Sequence, residues 1–279
     1  MRMFTMMALA AFCCTAGMAS DLKNGESVAF MGDSITQFGW GPAGYVRMCE
    51  AAFKANGLKV KVIPAGISGH KSNNMLARLD KVINRKPTYM TLSCGVNDVW
   101  HGARGVKLPD YKKNITKIID DAQKAGIKVI VLTSTMIGED ANAKNNKILA
   151  EYNDFLRQIA KEKGCRLVDL NAEMQKQVAE FRTKTGKKNN FLTVDGVHMD
   201  FLGNRMMAQM ILKDGFGFTP GEMKKADEAF LKMTHMARLS VPVTGADYMA
   251  ISRKADAAKR APSEYIQDEA KKSLKNLSK

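Results

Sequence analysis

Short apolar runs alternate along the chain with longer stretches whose apolar residues recur every three to four positions. Residues 26–31 make the first run and predict a strand. Residues 44–56 place Tyr45, Val46, Met48, Ala51, Ala52 and Phe53 on one face and stop at Gly57, the pattern of an amphipathic helix. Val60, Val62 and Ile63 predict a second strand over 59–65, broken by Gly66-Ile67-Ser68-Gly69. A helix follows over 73–85, with Met75, Leu76, Leu79, Val82 and Ile83 inward and Pro87 as its stop. Residues 88–93 predict the third strand. The helix over 109–125 is marked by Ile115, Ile118, Ile119 and Ala122 and closed by Gly126. The β-branched run 127–133 has no polar alternation, so both of its faces are buried, as in a parallel sheet. A helix over 145–163, a strand over 165–170, a helix over 171–185 that turns polar, and a core helix over 201–212 complete the pattern.

Strands alternating with helices predict the α/β class: a three-layer α/β/α flavodoxin-like sandwich around a five-stranded parallel sheet. The main domain is expected over 20–219. Beyond Pro220 the character changes to Lys- and Ala-rich helices over 223–236, 246–261 and 262–279, with a linker over 240–245. Residues 220–279 are therefore expected to form a basic helical C-terminal extension packed on the domain, in preference to an oligomerisation arm or a surface anchor. Residues 1–19 have the form of a signal peptide: Arg2, an apolar stretch over 3–14, and Gly17-Met18-Ala19 before a cleavage point. The apolar stretch is too short for a comfortable transmembrane helix, and no later run is longer. Secretion or a periplasmic location is the expectation. Cys13 and Cys14 lack the small-residue pattern of lipoprotein processing.

A hydrophobic fraction of 45% and a charged fraction of 25% over 279 residues suit one soluble domain with an appendage. The net charge of +15 favours anionic partners, such as an acidic glycan. Aromatics are sparse and no nucleic-acid motif is present, which argues against a nucleic-acid partner. Beyond the leader the chain keeps Cys49, Cys94 and Cys165; widely spaced and each in or beside an apolar element, they predict buried free thiols, and neither a disulfide framework nor a zinc site. The oligomeric state is left open.

Four stretches carry candidate chemistry. The first strand ends in Gly32-Asp33-Ser34, which puts a serine at the carboxyl edge of the sheet and at the start of a helix. Alone, the stretch reads equally as a nucleophile or as a helix cap. Gly69 follows the second strand, Asn97 the third, and Asp195-Gly196-Val197-His198 precedes the last core helix. A serine nucleophile needs a base, which His198 can be, and a histidine base needs an acceptor on its other nitrogen, which Asp195 can be. The backbone N–H groups of Ser34 and Gly69 and the Asn97 amide would face the oxyanion of an acyl transfer. Each has a bland reading: turn residues for Gly69 and Asn97, an N-cap for Asp195, a surface histidine for His198.

Gly32-Asp33-Ser34-Ile35, Gly66-Ile67-Ser68-Gly69, Gly95-Val96-Asn97-Asp98 and Asp195-Gly196-Val197-His198 resemble, in order and spacing, the four blocks of the SGNH hydrolases, also called GDSL esterases. The resemblance covers about residues 26 to 215; Pro64 stands where many members carry Asn. It implies Ser34, His198 and Asp195 as catalytic residues, Ser34, Gly69 and Asn97 as the oxyanion hole, and no metal or organic cofactor. Family activities span carbohydrate O-acetyl esterases, lysophospholipases, thioesterases and arylesterases, so the substrate must come from elsewhere. His70, Trp100, His101 and Arg104 lie on the block-bearing loops and are candidate substrate-binding residues, with Trp40 and Lys71 nearby. Exposed aliphatic stretches near the blocks look few, and no long apolar lid follows them. The expectation is a secreted serine esterase acting on short acyl esters, O-acetyl above all, of a glycan. The alternatives are a lysophospholipase or thioesterase, and a non-catalytic glycan-binding envelope protein.

Overall fold

The computed structural model describes residues 20–188, 190–234 and 244–277. The expected signal segment and most of the expected linker lie outside them. The chain divides into two compact units between residues 235 and 236.

In the first unit β1 (Ser27–Gly32) leads into α1 (Ser34–Gly39) and α2 (Tyr45–Ala55), and β2 (Lys61–Gly66) into α3 (Ser72–Ala77) and α4 (Leu79–Ile83). Next, β3 (Tyr89–Ser93) leads into α5 (Val96–Trp100) and α6 (Leu108–Lys124), and β4 (Lys128–Leu132) into α7 (Lys144–Glu162). Finally β5 (Arg166–Val168) precedes α8 (Leu170–Thr185), α9 (Phe201–Met210) and α10 (Pro220–Phe230). The five strands are parallel in the order β2-β1-β3-β4-β5. This is the expected α/β architecture. Val28, Ala29, Phe30 and Met31 of β1 are fully buried, as a strand covered on both faces must be. Burying a side chain the size of Phe30 or Met31 contributes about 1.5–3 kcal/mol each. One helix group packs α2 with α9 and α10, the other packs α6 with α3 and α7.

The structure departs from the pattern at three informative places. The helix expected over 73–85 is two helices, because the chain breaks at Arg78 and sends its guanidinium inward to the Gly32 carbonyl. The strand expected over 165–170 ends at Val168, since Asp169 turns out to cap α8 by accepting from Ala172 N. The boundary expected at 219/220 is also displaced. Thr219 and Glu222 form a capping box that starts α10, and its Ala226 and Phe230 are buried within the first unit, where α10 packs on α2. The residues of α10 expected in the extension thus complete the first unit. The second unit holds α11 (Gly245–Ala257) and α12 (Pro262–Leu277), two helices as the pattern predicts. Cys49 and Cys94 are buried and Cys165 half-buried, all as free thiols.

The order β2-β1-β3 makes β1/β3 the point where the connections change direction, the place where open α/β sheets open a crevice at the strands' carboxyl ends. Register brings the loops level there: Gly32 pairs with Gly66 and Met31 with Leu92. Two glycines let them touch. A Cβ on Gly66 would come within 2.3 Å of Gln37 N and 2.6 Å of Thr36 C, both backbone atoms of α1. Gly95 has φ +141° and lies where a Cβ would come within 2.3 Å of Ser134 Oγ. Gly66→Ala is expected to cost about 1–3 kcal/mol in urea denaturation through overpacking. Displacing α1, it should also disturb any chemistry at Ser34 more than the loss of folded protein explains.

Candidate active site

β1 delivers its last side chains at the carboxyl edge, and Asp33 then caps α1 by accepting from Ile35 N at 2.9 Å. The short helix is pinned by Tyr45, whose buried hydroxyl donates to Thr36 Oγ1 at 2.8 Å. Ser34, the first residue of α1, is 9% exposed. Its Oγ lies 2.9 Å from His198 Nε2, and His198 Nδ1 lies 2.7 Å from Asp195 Oδ2. The carboxylate acceptor places the imidazole proton on Nδ1, which leaves Nε2 to accept from the serine hydroxyl. Asp195 Oδ1 takes the backbone N–H groups of Val197 and His198 at 3.0 and 2.8 Å, so the tight Asp-x-x-His turn orients its own carboxylate. Burial alone would raise the Asp195 carboxyl. The His198 side chain and the two backbone donors outweigh it and hold Asp195 below the usual carboxylate range. The exposed ring of Phe38 backs His198, with centroids 5.0 Å apart and planes at 59°.

Beside Ser34 the structure gathers the other predicted donors. The N–H groups of Ser34 and Gly69 have no acceptor among the described residues. Asn97 Nδ2 donates to His70 O at 3.1 Å and, through a long contact of 3.4 Å, to Asp33 Oδ2. The second amide hydrogen is weakly engaged and free to turn to a stronger anionic acceptor. Arg78 Nε donates to His70 Nδ1 at 3.1 Å and Nη2 to Gly32 O at 2.9 Å. His70 therefore carries its proton on Nε2. Partial burial and the Arg78 charge both push its pKa below the ordinary histidine value.

Trp100, His101 and Arg104 sit on or just after α5 with exposed side chains. None makes a hydrogen bond, ion pair or ring contact with Ser34, Asp195 or His198 among the described residues. Trp40 has one face covered by the Arg47 guanidinium, 3.5 Å from the ring centroid. Sequence reasoning missed Arg78, a cation at a position read only as a helix surface, and Phe38, an aromatic one turn after Ser34. A cavity of about 650 Å³ opens at Tyr89, Lys128 and Arg166, the first residues of β3, β4 and β5. It lies at the opposite edge of the sheet from Ser34.

Asp33 and Asp98 are both buried in this cluster. Asp98 accepts from Ser72 N and Oγ at 2.9 and 2.6 Å. Burial, with the nearby Asp98 charge adding to it, moves the Asp33 pKa from 3.8 to about 6. The folded chain thus holds this proton more tightly than the unfolded chain. The contribution to stability is full below about pH 4 and is lost as pH rises through about 6, a span worth about 3 kcal/mol. Asn in its place keeps the α1 cap without the charge. Asp33→Asn is expected to exceed wild type in urea stability at pH 8 by up to this amount, with the gap closing between pH 6 and pH 4.

The chain is similar to several known proteins. The acetylxylan esterase of Geobacillus stearothermophilus is 24% identical over 214 residues, 69% of this chain and 95% of its own length. An acetyl xylan esterase crystal structure, AlAXEase, is 31% identical with a TM-score of 0.61, covering 67% of this chain and 98% of that one. The Geobacillus stearothermophilus enzyme Axe2, solved as a catalytic mutant in which an aspartate is replaced by alanine, is 25% identical with a TM-score of 0.64, covering 71% and 97%. A family model matches residues 30–206, a span that contains all four motif-bearing loops, and the chain belongs to the GDSL-like Lipase/Acylhydrolase family.

Proposed function

We propose that this protein is an exported serine esterase that removes O-acetyl groups from a carbohydrate. The observation that carries the reading is the continuous relay Ser34–His198–Asp195, two hydrogen bonds of 2.9 and 2.7 Å. Ser34 Oγ attacks the acetyl carbonyl while His198 Nε2 takes its proton, and Asp195 stabilises the imidazolium. The developing oxyanion is received by the N–H groups of Ser34 and Gly69 and by Asn97 Nδ2; one such donor is worth about 3 kcal/mol of barrier. His198 then protonates the departing sugar oxygen. Water, activated by the same nitrogen, cleaves the acetyl-enzyme and releases acetate. The acetyl-carbohydrate assignment draws on relatives described as acetylxylan esterases. Export draws on the leader-like residues 1–19.

Because His198 Nε2 hands its proton to the leaving oxygen, the alcohol half of the ester lies against His198. The exposed Phe38 ring is beside it and is suited to cover the apolar face of a sugar. A second reading has a specific observation in its favour. Phe38, Ile67, Trp100, Val194 and Leu202, in or near the four blocks, are singly exposed, although they make no aliphatic stretch. Exposed apolar side chains of this kind also suit a longer acyl chain, as in a lysophospholipase or thioesterase.

Hydrolysis of p-nitrophenyl acetate, butyrate and octanoate separates the two. Acetate turnover that falls steeply with chain length supports the acetylesterase; a preference for octanoate transfers the function to lipid or thioester substrates. Ser34→Ala is expected to lower kcat by at least about 10⁴-fold on whichever substrate is best. Full activity in this variant would overturn the relay. Phe38→Ala is expected to raise KM for acetylated xylo-oligosaccharides about three- to tenfold and leave ethyl acetate nearly unchanged.

A further inference from the structure

The loop that carries Asp195 and His198 is held from outside as well as by its own turn. Within it, Thr193 and Met199 form an isolated bridge, and Val194 N donates to His198 O at 2.8 Å. The external hold comes from the loop after β4. Glu139 is 4% exposed and takes three hydrogen bonds from three consecutive residues. Its Oε2 accepts from Phe191 N at 2.7 Å, and its Oε1 accepts from Leu192 N at 2.8 Å and from Thr193 Oγ1 at 2.7 Å. Thr193 Oγ1 in turn accepts from Gly196 N at 3.1 Å, and Gly138 N donates to Gly196 O at 2.7 Å. Gly196 is the residue after Asp195. The gripping loop is itself anchored: Asn146 of α7 accepts from Ile137 N at 2.8 Å and donates to the carbonyls of Ile137, Gly138 and Asp140 at 3.0, 3.1 and 2.7 Å.

A buried carboxylate is costly, and among the described residues no Lys or Arg pairs with this one. An apolar side chain here would leave the three donors without an acceptor, so the carboxylate has a structural part as well. What the carboxylate adds is direction. Three donors arriving at two oxygens fix the rotation of residues 191–193, and Thr193 passes that rotation to the turn that aims Asp195 at His198. We propose that Glu139 is a positioning residue for the esterase reaction, holding the Asp195–His198 turn in register with Ser34 through Thr193 and Gly196. The inference rests on the triad reading of Ser34, His198 and Asp195.

Glu139→Gln tests it with little change of shape, because one oxygen becomes an NH₂ group facing an N–H or O–H donor. The expected result is a fall in kcat for p-nitrophenyl acetate of about 10- to 100-fold, the scale of a misplaced catalytic group, with KM within about twofold. The downfield proton resonance of His198 Nδ1–H should broaden or move upfield. A loss of rate that only follows the active fraction counted by sulfonyl-fluoride titration, with the resonance unmoved, would make Glu139 a folding residue and overturn the proposal. Unchanged kcat and resonance would overturn it as well. Should Glu139→Gln fail to fold, Thr193→Val removes the same link and is expected to act in the same direction, with Thr193→Ser recovering kcat and the resonance. The resonance needs no turnover. A wild type that cleaves no ester would therefore defeat the triad reading, while the Nδ1–H signal still decides whether Glu139 holds the turn.

Discussion

The parallel register of β1, β2 and β3 is the constraint on which the site depends. Gly32 faces Gly66, and Met31 faces Leu92, so the loops after three strands leave the sheet at one level. With the edges level, the backbone of α1 can lie against Gly66 and the turn at Gly95 against Ser134, at distances that a Cβ would forbid. The helix that begins with Ser34 is thereby packed by its backbone against the end of β2. The serine and His198 are 164 residues apart in the chain and meet at 2.9 Å. That meeting is possible because the long intervening chain returns, through β4, β5 and α8, to the same edge.

Charge is handled at that edge in an unusual concentration of buried carboxylates. Asp33, Asp98 and Glu139 are each almost inaccessible, and each is satisfied chiefly by backbone N–H and hydroxyl donors. Arg78 lies within the same cluster, tied to the Gly32 carbonyl and to His70. Asp195 differs: it is half exposed, paired with His198, and held ionised by its own turn. Asp195 beside His198, with its pKa lowered, and Asp33 beside Ser34, with its pKa raised, give the site two carboxyls with opposite tendencies, set by environment. Among the described residues, Arg78 is the cation hydrogen-bonded within this cluster.

How much of this could be read in advance differs by residue. Ser34, Asp195 and His198 were readable because their chemistry demands particular residue types at particular offsets, and because Gly32-Asp33-Ser34 follows an unmistakable apolar run. Arg78 was not, since a single cation in the pattern Met75, Leu76, Leu79, Val82 looks like a solvated helix face; only the break between α3 and α4 turns it inward. The exposure of single apolar residues near the blocks was hidden too: Ile67 and Val194 stand exposed on loops, and Leu202 in the first turn of α9.

The sequence by itself determined the alternation of strands and helices, the carboxyl-edge placement of four motifs and the family, since periodicity and local offsets are properties of neighbouring residues. It also determined α10's apolar face, but not where that face would go: Ala226 and Phe230 needed the surface of α2 to show that the first unit continues past residue 219. Only the tertiary structure decided which donors reach which acceptors. The grip of Glu139 on residues 191–193, the turn of Arg78 toward His70, and the neighbouring burial of Asp33 and Asp98 join segments far apart in the chain. Side-chain chemistry carries no record of such partners until folding brings them within about 3 Å.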